Sequence, residues 1–286
     1  MHFPVMLGEA LEYLAVSPEG MYLDATTGLG GHTLAIAERL ETGLVLACDR
    51  DPESLELARR NTEALADRIQ FFHTSFSELP RTLSGAGIVK VTGLLADLGV
   101  SRFQLTEPHR GFSILAEGPL DMRMDRSHGK TAADLVNHSA EKALADLIFG
   151  YGEERRARRI ARAIVRARPI RSTRHLADVV ERAAPRTGPL HPATRTFMAL
   201  RIAVNDEQGE LDRLLDAAPD VVAEGGRIVI ISFMSLEDRK VKERFRELAR
   251  EGRAKLLTKR PVPPGEQEIR QNPPSRSAKL RAVELG

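Results

Sequence analysis

The stretch Asp24-Ala-Thr-Thr-Gly28-Leu-Gly30-Gly31-His32 brings a carboxylate, closely spaced glycines and a histidine into one short segment. Glycines so spaced let the backbone approach a ligand closely and present free amides where a helix begins. Asp49 follows 21 residues after Gly28, a spacing at which an acid can accept hydrogen bonds from both hydroxyls of a ribose. The composite pattern points to a cofactor that contains a nucleoside. Its bland alternative is a tight strand-to-helix turn, with Asp49 an ordinary cap before Pro52. Between a dinucleotide and S-adenosylmethionine, the residues favour the second. The dinucleotide fingerprint G-x-G-x-x-G needs glycine where Thr33 stands. Aligned to the methyltransferase pattern D-x-G-x-G-x-G, Asp24 is the opening acid, Thr26 replaces the first glycine, and Gly28 and Gly30 supply the next two. An acid at Asp24 also suits a ligand bearing an ammonium and a sulfonium, whereas it would repel a pyrophosphate.

These residues need strands and helices to position them, and the apolar pattern predicts both. Strands are expected at Met21 to Ala25, Leu44 to Cys48, Ile69 to His73, Gly93 to Ala96 (ending in Asp97) and Arg227 to Phe233. Helices are expected from about His32 to Leu40, from Pro52 to about Ala66, and from about Asn205 to Val222; proline at a first helical position marks the second start. A βαβ unit needs only ~30 residues, yet 130 positions separate Asp97 from Arg227. The spacing therefore predicts an α/β domain, residues 1–106 and 201–286, interrupted by an all-helical domain, residues 107–200. The clearest inserted helix runs from about Glu153 to Ala167, with Ala157, Ile160, Ala161, Ile164 and Val165 on one face and Arg155, Arg158, Arg159, Arg162 and Arg166 on the other. Pro169 ends it, and Pro261 to Pro274 is the one long loop-like stretch.

Composition narrows the class further. With 286 residues and 42% hydrophobic side chains the chain can bury a substantial core. One cysteine, Cys48, excludes a disulfide framework, and the eight histidines form no cluster with metal-ligand spacing, so no metal is expected. No apolar run approaches the roughly 20 residues that span a bilayer, and the N-terminus lacks a signal-peptide pattern; the reading is a soluble cytoplasmic protein. The formal charge of +2 conceals asymmetry: residues 150–201 carry 13 Arg against 4 acids, and residues 253–281 carry 8 basic against 2 acidic side chains. Two basic zones on an acidic body suggest a polyanion-binding face.

Longer stretches of the chain resemble the bacterial RsmH (MraW) family over nearly its whole length. They are His2-Phe-Pro-Val5, Gly30-Gly-His32, Asp49-Arg-Asp-Pro52, Asp97-Leu-Gly-Val-Ser101, Arg110-Gly-Phe-Ser113, Gly118-Pro-Leu-Asp-Met-Arg-Met-Asp125, Tyr151-Gly-Glu-Glu-Arg155, His191-Pro-Ala-Thr-Arg-Thr-Phe197, Ser235-Leu-Glu-Asp-Arg239 and Ser277-Ala-Lys-Leu-Arg281. The resemblance implies a Rossmann-like methyltransferase domain with an inserted helical, RNA-recognising domain. It also implies methyl transfer from S-adenosylmethionine to the N4 amine of a cytidine in the decoding region of small-subunit 16S rRNA. Carried over by position, the cofactor contacts are Gly30, Gly31, His32, Asp49, Phe76, Asp97 and Gln104. Phe76 offers an apolar face to a flat base, and Asp97 ends a strand where open α/β sheets place ligands.

For the chemistry, an amine whose lone pair is delocalised into a ring must be held near ~3 Å from the methyl and given a hydrogen-bond acceptor. Asp97 is the candidate acceptor, with a backbone carbonyl near Leu98 or Gly99 as the alternative. Phosphate contacts are expected first from Arg110, Arg123, Arg195 and Arg201, which stand in or beside family-like stretches, and then from the Arg155 to Arg166 row. Phe103, Phe112 and Phe233 are candidate stacking partners for an unstacked base. The chain departs from the family pattern at Met234, where histidine is usual, at Met198 in place of glutamine, at Arg102-Phe103 in place of Ser-Pro, and at Pro274-Ser275 near the C-terminus. Competing readings are a methyltransferase of the same fold acting on another RNA or a protein, an RNA-binding protein that has lost catalysis, and a NAD-dependent oxidoreductase.

Overall fold

The computed structural model describes residues 4–186 and 188–286, so His2 and Phe3 of the first family-like stretch lie outside the described residues. The chain folds into two compact units: Met1–Val100 with Gln208–Gly286, and Ser101–Glu207. No helix among the described residues is long and apolar enough to cross a membrane.

The first unit is built on seven strands, β1 (Met21–Asp24), β2 (Leu44–Asp49), β3 (Ile69–His73), β4 (Val91–Asp97), β5 (Val222–Ser232), β6 (Ala254–Leu256) and β7 (Lys279–Leu285). Their order is β3-β2-β1-β4-β5-β7-β6. β1 to β5 pair in parallel, and β7 runs antiparallel to both β5 and β6. This is a Rossmann-like methyltransferase sheet. Its central strands are apolar throughout because both faces are covered. Leu23, Leu46, Leu94, Ile228 and Ile230 pack on one face, while Tyr22, Val45, Leu95, Val229 and Ile231 alternate with them onto the other.

The order also fixes where chemistry can occur. β1 lies between β2 and β4, so the chain leaves the sheet centre in opposite directions there, and the C-terminal ends of β1, β2 and β4 face a common crevice. Those ends are Asp24, Asp49 and Asp97.

The second unit is helical: Arg102–Thr106, Ala132–His138, Glu141–Gly152, Ala157–Arg166, Thr173–Ala183 and Thr194–Val204 are its α-helices. The predicted helix from about Glu153 begins instead at Ala157. Glu153 takes a left-handed conformation (φ 49°) that closes the preceding helix, and Glu154 then accepts from the Arg156 amide at 2.8 Å to start the next one. Ala157, Ile160, Ala161 and Ile164 are buried, as the periodicity predicts. In the first unit, the helix from Pro52 stops at Asn61 and not near Ala66, because the Thr62 hydroxyl bonds back to the Ala58 carbonyl at 2.9 Å and a tighter turn follows. β5 starts five residues earlier than predicted, at Val222; Gly225 (φ 74°) and a register shift against β4 form a bulge that hid the strand's first half.

Candidate functional site

The glycine turn is assembled by carboxylates. Asp24 ends β1 fully buried, and its Oδ1 accepts from the Thr26 amide at 3.1 Å while its Oδ2 accepts from the Thr33 hydroxyl at 2.6 Å. One acid thus ties both ends of the turn together. Thr26, which stands where the methyltransferase pattern has glycine, receives the Asp97 amide on its hydroxyl oxygen at 2.6 Å. That bond fastens the turn to the end of β4. Asp49 accepts the Gly28 amide on Oδ2 at 2.7 Å and the Asp51 amide on Oδ1 at 2.9 Å. Each carboxylate oxygen has a second lone pair, so the acid that clasps the turn retains acceptor capacity for a ligand.

Gly30 is required by its backbone and by its neighbours. Its φ of 86° is left-handed, and a Cβ there would stand 3.0 Å from Thr62 Cγ2 and 3.3 Å from Ala58 Cβ. Gly31 opens the next helix beneath Pro4, whose ring would lie 3.2 Å from a Cβ at that position. His32 is buried and approaches the Val5 carbonyl through Nε2 at 3.0 Å, and its Nδ1 lies 3.9 Å from Asp97 Oδ2. The N-terminal segment is held in turn by Glu268, whose Oε1 accepts from the Met6 amide at 2.8 Å. Glu268 was not anticipated from sequence. It stands on a short helix, Glu266–Gln271, inside the stretch that composition marks as loop.

Electrostatically the crevice is acidic. Burial pushes the carboxyls of Asp24 and Asp49 up to about 6. Asp97 is raised well above the usual carboxylate range, first by burial and then by the charges of Asp24, Glu237 and Glu268. Two buried polar atoms here have no hydrogen-bond partner among the described residues: Asp97 Oδ1 and the Thr27 hydroxyl. Buried polar atoms are ordinarily satisfied, so these two are suited to a ligand. Repelling carboxylates around one orphaned oxygen suit a cation. Phe76 is half-buried in the turn after β3, packed against the apolar core below it. Among the sequence-predicted cofactor residues, Gly30, Gly31, His32, Asp49, Phe76 and Asp97 all belong to the first unit. Gln104 belongs to the second, and its Oε1 accepts from the Ser101 amide at 3.0 Å in a helix-capping box.

Met234 caps the helix Ser235–Arg250 after β5. Glu237 accepts the amides of Phe233 at 3.0 Å and Met234 at 3.1 Å, so the glutamate fixes the chain's course here through the backbone of both residues. Asp238 next to it receives Arg281 at 2.6 Å, which joins two of the family-like stretches across β7.

The arginines behave differently from expectation. Arg110 is fully buried in the second unit, where it donates to the carbonyls of Arg123 at 3.1 Å and Met124 at 2.8 Å and lies 5.8 and 6.0 Å from the ring centres of Phe103 and Phe112. It is a core residue of that unit, where the sequence leads one to expect a surface phosphate contact, and Phe112 is buried with it. Arg123 is bidentate to Asp121 at 2.7 and 3.0 Å, and Arg201 is bidentate to Glu207 at 2.7 and 2.8 Å. Arg195 alone of the four is exposed, with one bond to the Glu153 carbonyl at 2.9 Å. The row that came second in the sequence reading is exposed along its helix. Arg162 meets Glu141 at 3.4 Å; Arg158, Arg159 and Arg166 make no ion pair among the described residues.

Sheet order and strand-end carboxylates together define a methyltransferase-type α/β protein with a cation-compatible crevice. Comparison with known proteins assigns it more closely. The chain belongs to the MraW methylase family, whose model matches residues 1–285, and is therefore a methyltransferase. It is 66% identical over 285 residues to the ribosomal RNA small subunit methyltransferase H of Solibacter usitatus (strain Ellin6076), covering all of both chains. Against the protein of the same name from Acidobacterium capsulatum the identity is 51% over 293 residues, covering 99% of this chain and 98% of that one. Among solved structures, an rRNA methylase from Streptococcus thermophilus aligns over 100% of this chain and 99% of that one, with TM-score 0.44 and 12% identity.

Proposed function

We propose that this methyltransferase transfers a methyl group from S-adenosylmethionine to the N4 amine of a cytidine in the decoding region of 16S rRNA, acting in the bacterial cytoplasm on the small ribosomal subunit or its RNA. The observation that carries the cofactor is the orphaned Asp97 Oδ1 among Asp24, Glu237 and Glu268, a place that fits a positively charged ligand beside a glycine turn. In this reading the amides at Gly30, Gly31 and His32 approach the amino-acid end, Asp49 accepts from the ribose, and Phe76 stacks on the adenine. When bound, S-adenosylmethionine supplies an electrophilic methyl carbon on a positively charged sulfur. The rRNA target is supported by the names of the full-length relatives.

The residues then divide the work. Asp97 accepts a hydrogen bond from the N4 amine, which lets its nitrogen rehybridise and aims its lone pair at the methyl. The helical unit supplies the phosphate contacts, from Arg158, Arg159, Arg166 and Arg195, while Arg110, Arg123 and Arg201 stiffen that unit. Gln104 caps its own helix through Oε1.

The test is methyl transfer from labelled S-adenosylmethionine to small subunits that lack the modification, followed by nucleoside mass analysis. N4-methylcytidine at a single decoding-region position is the expected product. Transfer to a different RNA, or a different methylated nucleoside, refutes the assignment of target. Tight binding of S-adenosylhomocysteine without transfer to any RNA refutes catalysis.

A further inference from the structure

His32 is fixed in one tautomer by its neighbours. Nε2 faces the Val5 carbonyl at 3.0 Å, and a carbonyl oxygen only accepts, so Nε2 carries hydrogen in every protonation state of the ring. In the neutral ring Nδ1 then carries no hydrogen, and it is Nδ1 that stands 3.9 Å from Asp97 Oδ2. A basic nitrogen and a carboxylate oxygen face each other across a gap that one proton turns from repulsive to attractive.

We propose that His32 and Asp97 act as one proton-accepting pair, in which Val5 positions His32 so that the proton Asp97 takes from the methylated amine is shared with Nδ1. The inference rests on the function proposed above. In the step, the N4 lone pair forms the bond to the methyl carbon, and the carbon–sulfur bond breaks with its electron pair left on sulfur. The amine nitrogen then carries one proton too many for the neutral product, and this proton passes to the Asp97 carboxylate, where it is shared with His32 Nδ1 and from which, as the more exposed of the two groups, it is lost to solvent.

The surroundings suit that sequence. Asp24 from β1, Glu237 from the helix Ser235–Arg250 and Glu268 from the helix Glu266–Gln271 all place negative charge on Asp97. A cationic donor offsets this repulsion and keeps Asp97 ionised before transfer. On transfer the positive charge moves from the sulfur to the amine nitrogen, so the acidic proton is presented directly to the Asp97 carboxylate, whose proton affinity its acidic neighbours raise. His32 is a positioning residue in this scheme, since it acts through Asp97.

The experiment uses the full chain labelled with 15N-histidine, titrated with and without S-adenosylhomocysteine, with His32 assigned by the resonance lost in His32→Gln. Neutral His32 is expected to carry its proton on Nε2, and Asp97→Asn is expected to lower the His32 pKa by about 1–3 units because an anionic neighbour is removed. In His32→Gln the carboxamide can still donate to Val5 but takes no proton, so single-turnover transfer should fall roughly tenfold or more while S-adenosylhomocysteine affinity changes far less. Wild-type transfer combined with a proton on Nδ1, or with a His32 titration unmoved by Asp97→Asn, overturns the pair and leaves the proposed function standing. Absence of transfer by the wild-type protein refutes that function, and the pair's role with it.

Discussion

Asp24→Asn should make the protein more stable at alkaline pH than the wild type, relative to their difference in acid. Asp24 is fully buried and its carboxyl is raised from 3.8 to about 6, chiefly by burial. A raised native pKa means that the folded state binds the proton more tightly than the unfolded chain. The group's stabilising contribution is therefore complete below the unfolded value near 3.8 and is lost as pH climbs through about 6. Two units of difference at ~1.4 kcal/mol each come to about 3 kcal/mol in full, of which about 1.4 kcal/mol disappears between pH 5 and pH 8. Asparagine cannot titrate, so urea melts of variant and wild type should diverge in the variant's favour by about that amount over the interval. The local hydrogen bonds survive in part, because the Thr33 hydroxyl can turn to accept from the new amide; whatever that rearrangement costs is independent of pH and cancels. Removing the Asp24 charge also relieves Asp49 and Asp97, which pushes the difference in the same direction. A difference that stays flat from pH 5 to 8, or that runs the other way, refutes the account of Asp24 as a carboxylate held ionised against its surroundings.

Three further outcomes follow from the same geometry. Asp49→Ala strips acceptors from the Gly28 and Asp51 amides and should weaken S-adenosylhomocysteine binding by about 1.5–3 kcal/mol, roughly 10- to 100-fold by calorimetry; an unchanged Kd would show that the acid serves only the turn. Replacing Arg158, Arg159 and Arg166 together with alanine should reduce the slope of log K against log salt for RNA binding by about 2–3, with S-adenosylhomocysteine affinity unaltered; an unchanged slope would show a merely solvated face. Arg110→Met leaves the carbonyls of Arg123 and Met124 without their donor in the core of the helical unit and should cost about 2–4 kcal/mol in urea melts, while the salt slope of the folded protein stays as in the wild type. A loss of slope in that variant instead would mean that the arginine reaches phosphate after all.

Much of the sheet was legible because a strand buried on both faces is a run of apolar residues with little else to be: Ile69 to His73 and the end of β4 at Asp97 fall where the pattern predicts. The short edge strand β6 and the β7 strand beside it carry Lys255, Lys279 and Arg281, whose charges break the run, and neither was anticipated. At the turn, residue types suggested a ligand class but carried nothing of the assembly. Glycine spacing says that a backbone bends, whereas the bond from the Asp97 amide to Thr26 depends on two strands whose adjacency no local pattern encodes. The burial of the arginines was illegible for a related reason. A guanidinium enclosed by carbonyls and a guanidinium in water have the same letter, and only the fold distinguishes Arg110 from Arg158.

Thr26 departs from the general methyltransferase glycine pattern and Met234 from the family pattern, and the structure around each shows how such a change is accommodated. At Thr26 the residue replacing glycine adds a hydroxyl that receives the Asp97 amide, so it contributes to positioning the carboxylate proposed to accept the proton. At Met234 the backbone is already governed by Glu237, through the amides of Phe233 and Met234, and Asp238 beside it is anchored to Arg281. The Glu237 half of this capping box holds the loop through backbone amides whatever the side chain at 234, so in the proposed function histidine and methionine there differ chiefly in what they offer to a bound base. If this is right, Met234→His should leave stability within about 0.5 kcal/mol of the wild type and act, where it acts at all, on the KM for RNA. A variant that loses stability or cofactor affinity instead would mean that residue 234 helps to build the crevice, and the division between a carboxylate frame and a replaceable rim would fail.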